Sequence, residues 1–234
     1  MDFSNKTVVI TGAAGNLGGA VADLFFASGA NLVLLDLKRD ALTQRYGQAT
    51  DRRVLEAVNL LDSAQVDAAV LAVEKQFGRI DVLCNLAGGF RMGNAVHTTS
   101  TGDWDFLMDI NVRTLLNMVR AVVPKMQTAG SGCIVNVGAR SALSGAAQMG
   151  AYCATKSAVI RLTESMAAEL REQNIRVNCV LPSIIDTPEN RASMPNADPA
   201  RWVSPQDLAQ VIAFLASDAA RAVHGAALPV SGLS

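Results

Sequence analysis

The sequence predicts an α/β fold in which a doubly wound, seven-stranded parallel sheet carries helices on both faces. Three observations support this prediction. Short runs of β-branched residues alternate with longer segments of helical periodicity along the chain. These short runs are apolar almost throughout, as strands buried on both faces must be. Half of the 234 residues are hydrophobic, which is enough apolar surface for a large core.

Seven segments are predicted as strands because each is short and rich in Val, Ile or Leu. In chain order they are residues 7–11, 31–36, 54–59, 80–85, 133–137, 176–181 and 227–230. Five segments between them have the length and apolar periodicity of helices. These are residues 18–28, 63–77, 101–127, 152–173 and 205–216. Right-handed crossovers between successive strands then produce the doubly wound arrangement.

Nothing interrupts this alternation, since the chain has no internal repeat, no block of like charges and no linker rich in Pro and Ser. We therefore expect one domain over residues 1–234. Four of the seven prolines cluster between residues 182 and 199. Residues 183–203 are accordingly predicted as the one substantial loop, a type of segment that often determines substrate specificity.

Charge and composition exclude several classes of protein. Twenty Lys and Arg residues stand against twenty-one Asp and Glu residues, so the chain lacks the basic surface of a nucleic-acid-binding protein. No apolar run approaches the roughly 20 residues of a membrane span, and the first residues lack the pattern of a signal peptide. We expect a cytoplasmic protein that binds neither nucleic acid nor membrane.

The four cysteines and two histidines show neither disulfide nor metal-ligand spacing. No two cysteines form a CxxC pair, and three of them lie inside predicted strands. We interpret the cysteines as small buried side chains in a reducing compartment, and we expect no metal site.

A glycine-rich turn joins the first predicted strand to the first helix. Residues 11–18 read TGAAGNLG. Glycines at such a junction let the backbone approach phosphates, and the helix contributes free N–H groups and the positive end of its dipole. The sequence therefore predicts a Rossmann-like dinucleotide site. Its residues are Gly12, Gly15, Asn16, Leu17 and Gly18.

An acidic residue, Asp36, ends the second predicted strand. A carboxylate there accepts hydrogen bonds from the adenosine ribose of NAD and repels the 2′-phosphate of NADP. The turn carries no Lys or Arg that would bind this phosphate, although Lys38 and Arg39 follow closely. We predict that the cofactor is NAD in preference to NADP.

Tyr152 and Lys156 lie four residues apart at the start of a predicted helix and share one of its faces. A nearby ammonium stabilises a phenolate, so we expect Lys156 to lower the pKa of Tyr152. A tyrosine with a lowered pKa relays protons at neutral pH, which makes this pair a candidate for general acid–base catalysis.

With these motifs the chain resembles the short-chain dehydrogenase/reductase (SDR) family over essentially its whole length. The matching segments are the glycine turn, NLAG at residues 85–88, DINVRT around Asn111, IVNVG, Tyr152 with Lys156, and NCVLPSIIDT. The resemblance implies that Tyr152 is the general acid/base and that Lys156 holds the nicotinamide ribose. It also implies that Asn111 carries a water-linked proton relay.

The resemblance further implies contacts between this chain and the rest of the cofactor. From the adenine end to the carboxamide end, the implied residues are Asn59, Leu60, Asn85, Ala87, Gly88, Ile185 and Thr187. Members of the family assemble mostly through two long helices, so a homodimer or homotetramer is implied as well.

Two positions depart from the family pattern. The usual spacing has glycine in place of Asn16, and we expect asparagine to preserve the turn because it tolerates left-handed backbone geometry. The family also has a substrate-binding serine in place of Ala139, and alanine cannot donate a hydrogen bond to a substrate carbonyl. Ser141 either replaces this hydroxyl or belongs to the loop without a role.

Dihydropteridine reductase is a branch of the family that works without this serine, and three segments here resemble it: residues 87–95, 138–143 and 186–198 with Trp202. Phe90, Met149 and Trp202 either contact a flat substrate ring or pack ordinarily beneath a loop. Ala139, Ser141, Phe90 and Trp202 are thus the predicted substrate-binding residues. Three functions stay open: hydride transfer between the nicotinamide and a small-molecule carbonyl or alcohol substrate, reduction of a quinonoid ring, and cofactor sensing without catalysis.

Overall fold

The computed structural model describes residues 1–234 and contains one sheet of seven parallel strands. The strands are β1 (Thr7–Thr11), β2 (Asn31–Asp36), β3 (Arg53–Ala57), β4 (Val82–Asn85), β5 (Gly132–Val137), β6 (Ile175–Pro182) and β7 (Ala227–Val230). Their order across the sheet is β3-β2-β1-β4-β5-β6-β7. The strand order reverses at β1 and β4, and a sheet of this kind binds its ligand at the carboxyl ends of those strands.

Eight α-helices cover the two faces of the sheet. They are α1 (Asn16–Ala27), α2 (Arg39–Tyr46), α3 (Ser63–Phe77), α4 (Thr101–Met108), α5 (Thr114–Ala129), α6 (Gly150–Leu170), α7 (Pro188–Ser193) and α8 (Pro205–Ala216). Val9 of β1 belongs to a core with α3, α5 and α6, whereas Val8 and Ile10 belong to a core with α1, α2 and α8. The predicted doubly wound α/β fold is confirmed.

The helix predicted over residues 101–127 is interrupted. A π-helical turn, Asp109–Arg113, separates α4 from α5. Apolar periodicity continues through this turn, so no pattern in the sequence marks it. A π-turn inserts one extra residue into a helix and is frequent at functional sites. This turn carries Asn111, whose side chain is buried.

Two short helices lie outside the predictions. α2 buries only Leu42 and Tyr46, so its apolar periodicity is weak. α7 forms inside the predicted loop of residues 183–203, where Thr187 caps its N-terminus and Pro188 occupies its first turn. The loop is therefore more regular than predicted.

Other boundaries shift by a few residues, as element ends commonly do. β3 ends at Ala57 and β4 begins at Val82, so both strands are shorter than predicted. α1 begins at Asn16 and α6 at Gly150, each earlier than predicted. Asn59 consequently lies beyond β3 rather than within it.

The two ends of the loop over residues 183–203 are tied together. Ile185 and Val203 form a parallel bridge. Asp186 N–H donates to Val203 O at 2.8 Å, and Val203 N–H donates to Ile184 O at 3.0 Å. Arg191 also donates to both carboxylate oxygens of Asp186, at 2.6 and 2.7 Å. The loop thus begins and ends at one place, shortly after β6 and directly before α8.

No helix has the combination of length and apolar content needed to cross a bilayer. No group of three or more His, Cys, Asp or Glu side chains is arranged to hold a metal ion. The four cysteines are free and buried, as predicted.

Candidate active site

The glycine turn between β1 and α1 packs tightly against the segment that follows β4. Gly12 has a φ of +64°, and a Cβ added there would lie 3.0 Å from Ala87 Cα. A Cβ added at Gly18 would overlap the Gly12 carbonyl oxygen and lie 2.8 Å from Ala13 Cα. Glycine is therefore needed at Gly12 because the backbone there is left-handed, and at Gly18 because there is no space for a side chain.

The amino end of α1 lies in this turn and is open to an anion. Gly15 caps α1 without a side-chain hydrogen bond, and no acidic residue occupies its first turn. Across from this turn, Thr11 Oγ1 accepts hydrogen bonds from the N–H groups of Leu86 and Ala87, both at 3.0 Å, and so fixes the segment after β4. The turn therefore has N–H groups free to bind an anion, and its glycines leave no room for side chains that would block the approach. Both features fit a phosphate-bearing cofactor.

Asn16 has right-handed helical geometry, so the predicted use of its left-handed tolerance is wrong. It is the first residue of α1, and positive φ among non-glycine residues occurs only at Asn5, Gln148 and Asn174. Asn16 Nδ2 donates to Glu189 Oε2 on α7 at 2.9 Å. The side chain thus links the turn to the loop over residues 183–203.

Asp36 lies beside the turn at the carboxyl end of β2, as predicted. Its Oδ2 accepts the Ala14 N–H at 3.0 Å, and its Oδ1 accepts the Leu37 N–H at 2.8 Å. Both nearby cations, Lys38 and Arg39, are exposed, and the Arg39 guanidinium donates to the Leu55 carbonyl of β3.

The structure brings Lys156, Asn111 and Gly88 together at the carboxyl end of β4. A Cβ added at Gly88 would lie 3.0 Å from Asn111 Oδ1 and 3.3 Å from Lys156 Nζ. Lys156 is only 5% exposed, and its Nζ donates to the Val137 carbonyl at 2.9 Å. Burial lowers the pKa of Lys156 to about 8.

Asn111 is held by the backbone of Gly89. Its Oδ1 accepts the Gly89 N–H at 3.0 Å, and its Nδ2 donates to Gly89 O at 3.0 Å and to Thr155 Oγ1 at 3.4 Å. The π-turn aims this side chain inward, so Asn111 fixes the residue that precedes Phe90.

Tyr152 lies one helical turn before Lys156 on α6, with its ring against Phe90. The two rings meet edge to face, with centroids 4.8 Å apart and planes at 89°. Burial raises the pKa of Tyr152 to about 12, so the expected lowering of this pKa is wrong for the structure as it stands. The Lys156 ammonium donates to a backbone carbonyl, and desolvation of the phenol dominates.

The remaining predicted cofactor contacts follow the carboxyl ends of their strands and therefore share one edge of the sheet. They are Asn59 and Leu60 after β3, Asn85 and Ala87 at the end of β4, and Ile185 and Thr187 after β6. Asn85 Nδ2 donates to Asn136 Oδ1 at 2.9 Å, and Ile185 O accepts Asn190 Nδ2 at 2.8 Å.

The four predicted substrate residues differ in accessibility. Phe90 is 53% exposed and touches Tyr152. Ala139 is buried directly after β5, and Ser141 lies half-buried in the 3-10 turn Arg140–Leu143. Trp202 is 8% exposed, so its ring packs beneath the loop and offers little surface to a ligand.

A cavity of about 150 Å³ is lined by residues that follow Phe90 and precede Tyr152 in the chain. Its walls include Met92 and Met149 together with an ion pair in which Arg91 Nη1 lies 2.7 Å from Asp103 Oδ1. The Arg91 guanidinium also lies over the Phe106 ring at 3.8 Å. Met149 to Ala151 border this cavity immediately before Tyr152.

Three contributors to the site were missed by the sequence reasoning: the Val137 carbonyl that accepts Lys156, Glu189 that accepts Asn16, and Tyr46 that reaches the glycine turn. A backbone carbonyl and an exposed glutamate carry no sequence signal. Tyr46 ends the weakly periodic α2, although it is one of only two tyrosines in the chain.

Comparisons with known proteins find similar sequences and structures over almost the whole chain. Residues 12–232 match a family model described as enoyl-(acyl carrier protein) reductase. The D-threitol dehydrogenase of Mycolicibacterium smegmatis is 34% identical over 98% of this chain and 93% of the relative.

Two solved structures share the fold. The 3-ketoacyl-(acyl-carrier-protein) reductase of Brucella melitensis complexed with NADH has a TM-score of 0.89 at 30% identity, covering 99% of this chain and 98% of that one. A short-chain type dehydrogenase/reductase of Mycobacterium ulcerans has a TM-score of 0.92 at 26% identity, covering 100% and 90%. The chain therefore belongs to the short-chain dehydrogenase/reductase family of oxidoreductases.

Proposed function

We propose that this protein is an NAD(H)-dependent oxidoreductase that interconverts a small carbonyl compound and its alcohol, with Tyr152 as general acid/base. The observation that carries the proposal is the meeting of Lys156, Asn111 and Gly88 at the end of β4, with Tyr152 one turn from Lys156 on α6. The anion-binding glycine turn lies at the same edge of the sheet.

The cofactor would extend along this edge. The turn from Gly12 to Gly18 would hold its pyrophosphate, and Asp36 its adenosine ribose. Lys156 would hold its nicotinamide ribose, with Ile185 and Thr187 near the carboxamide. When bound, the nicotinamide supplies or accepts the hydride.

NAD is favoured over NADP by the charges beside the adenosine ribose. The Asp36 carboxylate would repel a 2′-phosphate. Arg39 donates to Leu55 O, so its guanidinium is engaged with β3 rather than with the ribose. Lys38 is the other exposed cation near Asp36, and we expect it to weaken this preference without reversing it. The Brucella reductase complexed with NADH supports the same choice.

Tyr152 moves the proton. In the reducing direction its neutral phenol donates to the substrate oxygen, and a pKa of about 12 keeps it protonated across the neutral range. The phenolate left behind would be stabilised by the Lys156 ammonium once that ammonium leaves the Val137 carbonyl to which it donates here. Asn111 holds Gly89 and so keeps Phe90 against the Tyr152 ring.

A carbonyl or alcohol substrate is supported by the relatives, whose names describe a polyol dehydrogenase and a ketoacyl reductase. They give no support to a pteridine substrate. A sensor without catalysis is disfavoured because binding a cofactor does not require a phenol beside a buried ammonium. Ala139 provides no hydroxyl, so more of the electrostatic stabilisation of the substrate oxygen falls to Tyr152.

The decisive experiment compares wild type with Tyr152→Phe in two assays: oxidation of D-threitol with NAD⁺ and reduction of a 3-oxoacyl thioester with NADH. General acid–base catalysis predicts a loss of about 1000-fold in kcat in whichever assay wild type supports. NADH affinity, followed by nucleotide fluorescence, should change less than about twofold, because the phenol hydroxyl is not the cofactor's anchor. Retention of near-normal turnover in Tyr152→Phe would remove Tyr152 from the mechanism.

A further inference from the structure

We propose that Tyr46 is a positioning residue for the cofactor, because its hydroxyl fixes one peptide unit of the glycine turn. The inference rests on the proposed function, since it assumes that the turn binds a nicotinamide dinucleotide. Tyr46 itself would not touch the cofactor; it would act through the backbone of the turn.

The key contact is a hydrogen bond from Tyr46 Oη to the Ala13 carbonyl at 2.6 Å. The N–H of the next residue, Ala14, donates to Asp36 Oδ2 at 3.0 Å. The Ala13 carbonyl and the Ala14 N–H belong to the same peptide unit. That unit is therefore held at both of its polar ends, by a carboxylate on one side and a phenol on the other.

The two residues that hold this peptide, Asp36 and Tyr46, come from one stretch of chain. Asp36 ends β2, and Tyr46 ends α2, which follows directly. The β2–α2 segment therefore contacts the Ala13–Ala14 peptide at both of its ends. Asp36 is the residue that we assign to the adenosine ribose. The orientation of its carboxylate is therefore coupled to the conformation of the turn.

Tyr46 is anchored firmly enough to serve this purpose. It is 8% exposed, and its own carbonyl accepts Arg53 Nη2 at 2.6 Å. The guanidinium groups of Arg53 and Arg45 lie 5.5 and 5.7 Å from its ring centroid. Burial raises the pKa of Tyr46 to about 12, so its hydroxyl is a donor throughout the neutral range.

The Tyr46 hydroxyl is the side-chain donor to the Ala13 carbonyl. Ala13 is fully buried, so water does not reach its side of the turn. Without the phenol oxygen the Ala13 carbonyl would be buried without a donor, a situation that proteins relieve by rotating the peptide. Rotation would turn the Ala14 N–H away from Asp36 and disturb Gly12, whose carbonyl accepts the Gly15 N–H at 3.1 Å.

The test is the variant Tyr46→Phe, which keeps the ring and its packing against the arginines and removes one oxygen. We expect the Kd for NADH to rise about fivefold, as does the KM for the cofactor, because a buried carbonyl loses its donor. At saturating cofactor, kcat should stay within about twofold of wild type and its pH profile should not move, since Tyr152 and Lys156 are untouched.

A matched control separates positioning from stability. Ser217 lies near the end of α8 and is 9% exposed, and its hydroxyl donates to the Phe214 carbonyl at 2.8 Å. Ser217→Ala therefore also removes a hydroxyl that donates to a backbone carbonyl, but far from the glycine turn. The Phe214 carbonyl keeps the Ser217 N–H at 3.0 Å, so we expect Ser217→Ala to lower Tm slightly and to leave the Kd for NADH unchanged.

The outcomes are distinct. A raised Kd in Tyr46→Phe with an unchanged Kd in Ser217→Ala supports the proposal. If Tyr46→Phe lowers Tm yet binds NADH like wild type, Tyr46 is merely structural and the proposal is overturned. If wild type itself binds no NADH, the proposed function fails, and this inference fails with it. The Kd comparison needs no substrate, so an error about the substrate leaves the test intact.

Discussion

The cofactor side and the substrate side of the site are built in opposite ways. On the cofactor side the backbone forms the surface: Gly12 packs on Ala87, and the Ala13–Ala14 peptide is held at both ends by buried or half-buried side chains. On the substrate side the ion pair of Arg91 and Asp103 lies among exposed apolar side chains. These are Phe90, Met92, Val96 and Leu143, between 53% and 77% exposed.

The difference indicates what each side recognises. A packed backbone presents a fixed set of N–H groups and suits one invariant ligand, whereas exposed side chains present apolar area that a varied ligand covers. We therefore expect the cofactor side to tolerate almost no substitution. Substitutions on the substrate side should alter preference rather than abolish function.

The largest effect should come from adding a single methyl group on the cofactor side. In Gly18→Ala the new Cβ would overlap the Gly12 carbonyl oxygen, so the turn must open. Overpacking of about 1–3 kcal/mol corresponds to a loss of up to about 100-fold in NADH affinity, measured by fluorescence titration. The matched control is Gly145→Ala, since a Cβ at Gly145 meets nothing within 4 Å. Equal NADH affinity in the two variants would contradict the contrast between the two sides.

A smaller effect concerns Lys156 and the dependence of stability on pH. Burial lowers the pKa of Lys156 from 10.5 to about 8. Between these values the unfolded chain binds the proton that the folded chain releases, so this group makes stability rise with pH by up to about 1.4 kcal/mol per unit. We expect Lys156→Met, which has no such group, to lack this rise.

The measurement is the free energy of unfolding of both proteins from pH 7.5 to 10, taken as a difference so that other groups cancel. The free energy of unfolding of wild type should rise relative to that of Lys156→Met as the pH increases across this interval. A constant difference would mean that Lys156 is solvated, and would place it on the accessible side of the site.

The smallest effect is expected on the substrate side. Phe90→Ala removes the ring that packs edge-on against Tyr152, a contact of about 0.5–1.5 kcal/mol, and should lower kcat/KM about fivefold. NADH affinity should not change. Leu71→Ala, which truncates an equally exposed side chain on α3, serves as control. A loss of NADH binding in Phe90→Ala would show that the two sides are not separable.

The sequence predicted the sheet, its seven strands and the edge at which the site lies, because apolar runs and the glycine turn are local signals. It did not predict α2, since a helix that buries only Leu42 and Tyr46 has little periodicity. The π-turn at Asn111 escaped prediction for the opposite reason, because the apolar pattern continues through it.

Electrostatics were harder to predict than positions. The spacing of Tyr152 and Lys156 correctly placed both on one helix, but the sign of the pKa shift of Tyr152 depends on desolvation and on what Lys156 contacts. That contact is the Val137 carbonyl, which only the folded chain supplies. Likewise, the side chain of Asn16 found a partner 173 residues away in Glu189.

The bridge between Ile185 and Val203 has an evolutionary consequence. The chain leaves and rejoins the body of the protein at this one hydrogen-bonded bridge. The segment between Ile185 and Val203 can therefore change in length or sequence while its two ends stay in place. Doubling the length of such a loop costs only about 0.6 kcal/mol in closure entropy. A segment from a relative, inserted between these two residues, would leave the sheet unchanged, but it would have to keep a partner for Asn16 of the glycine turn, the role that Glu189 has here.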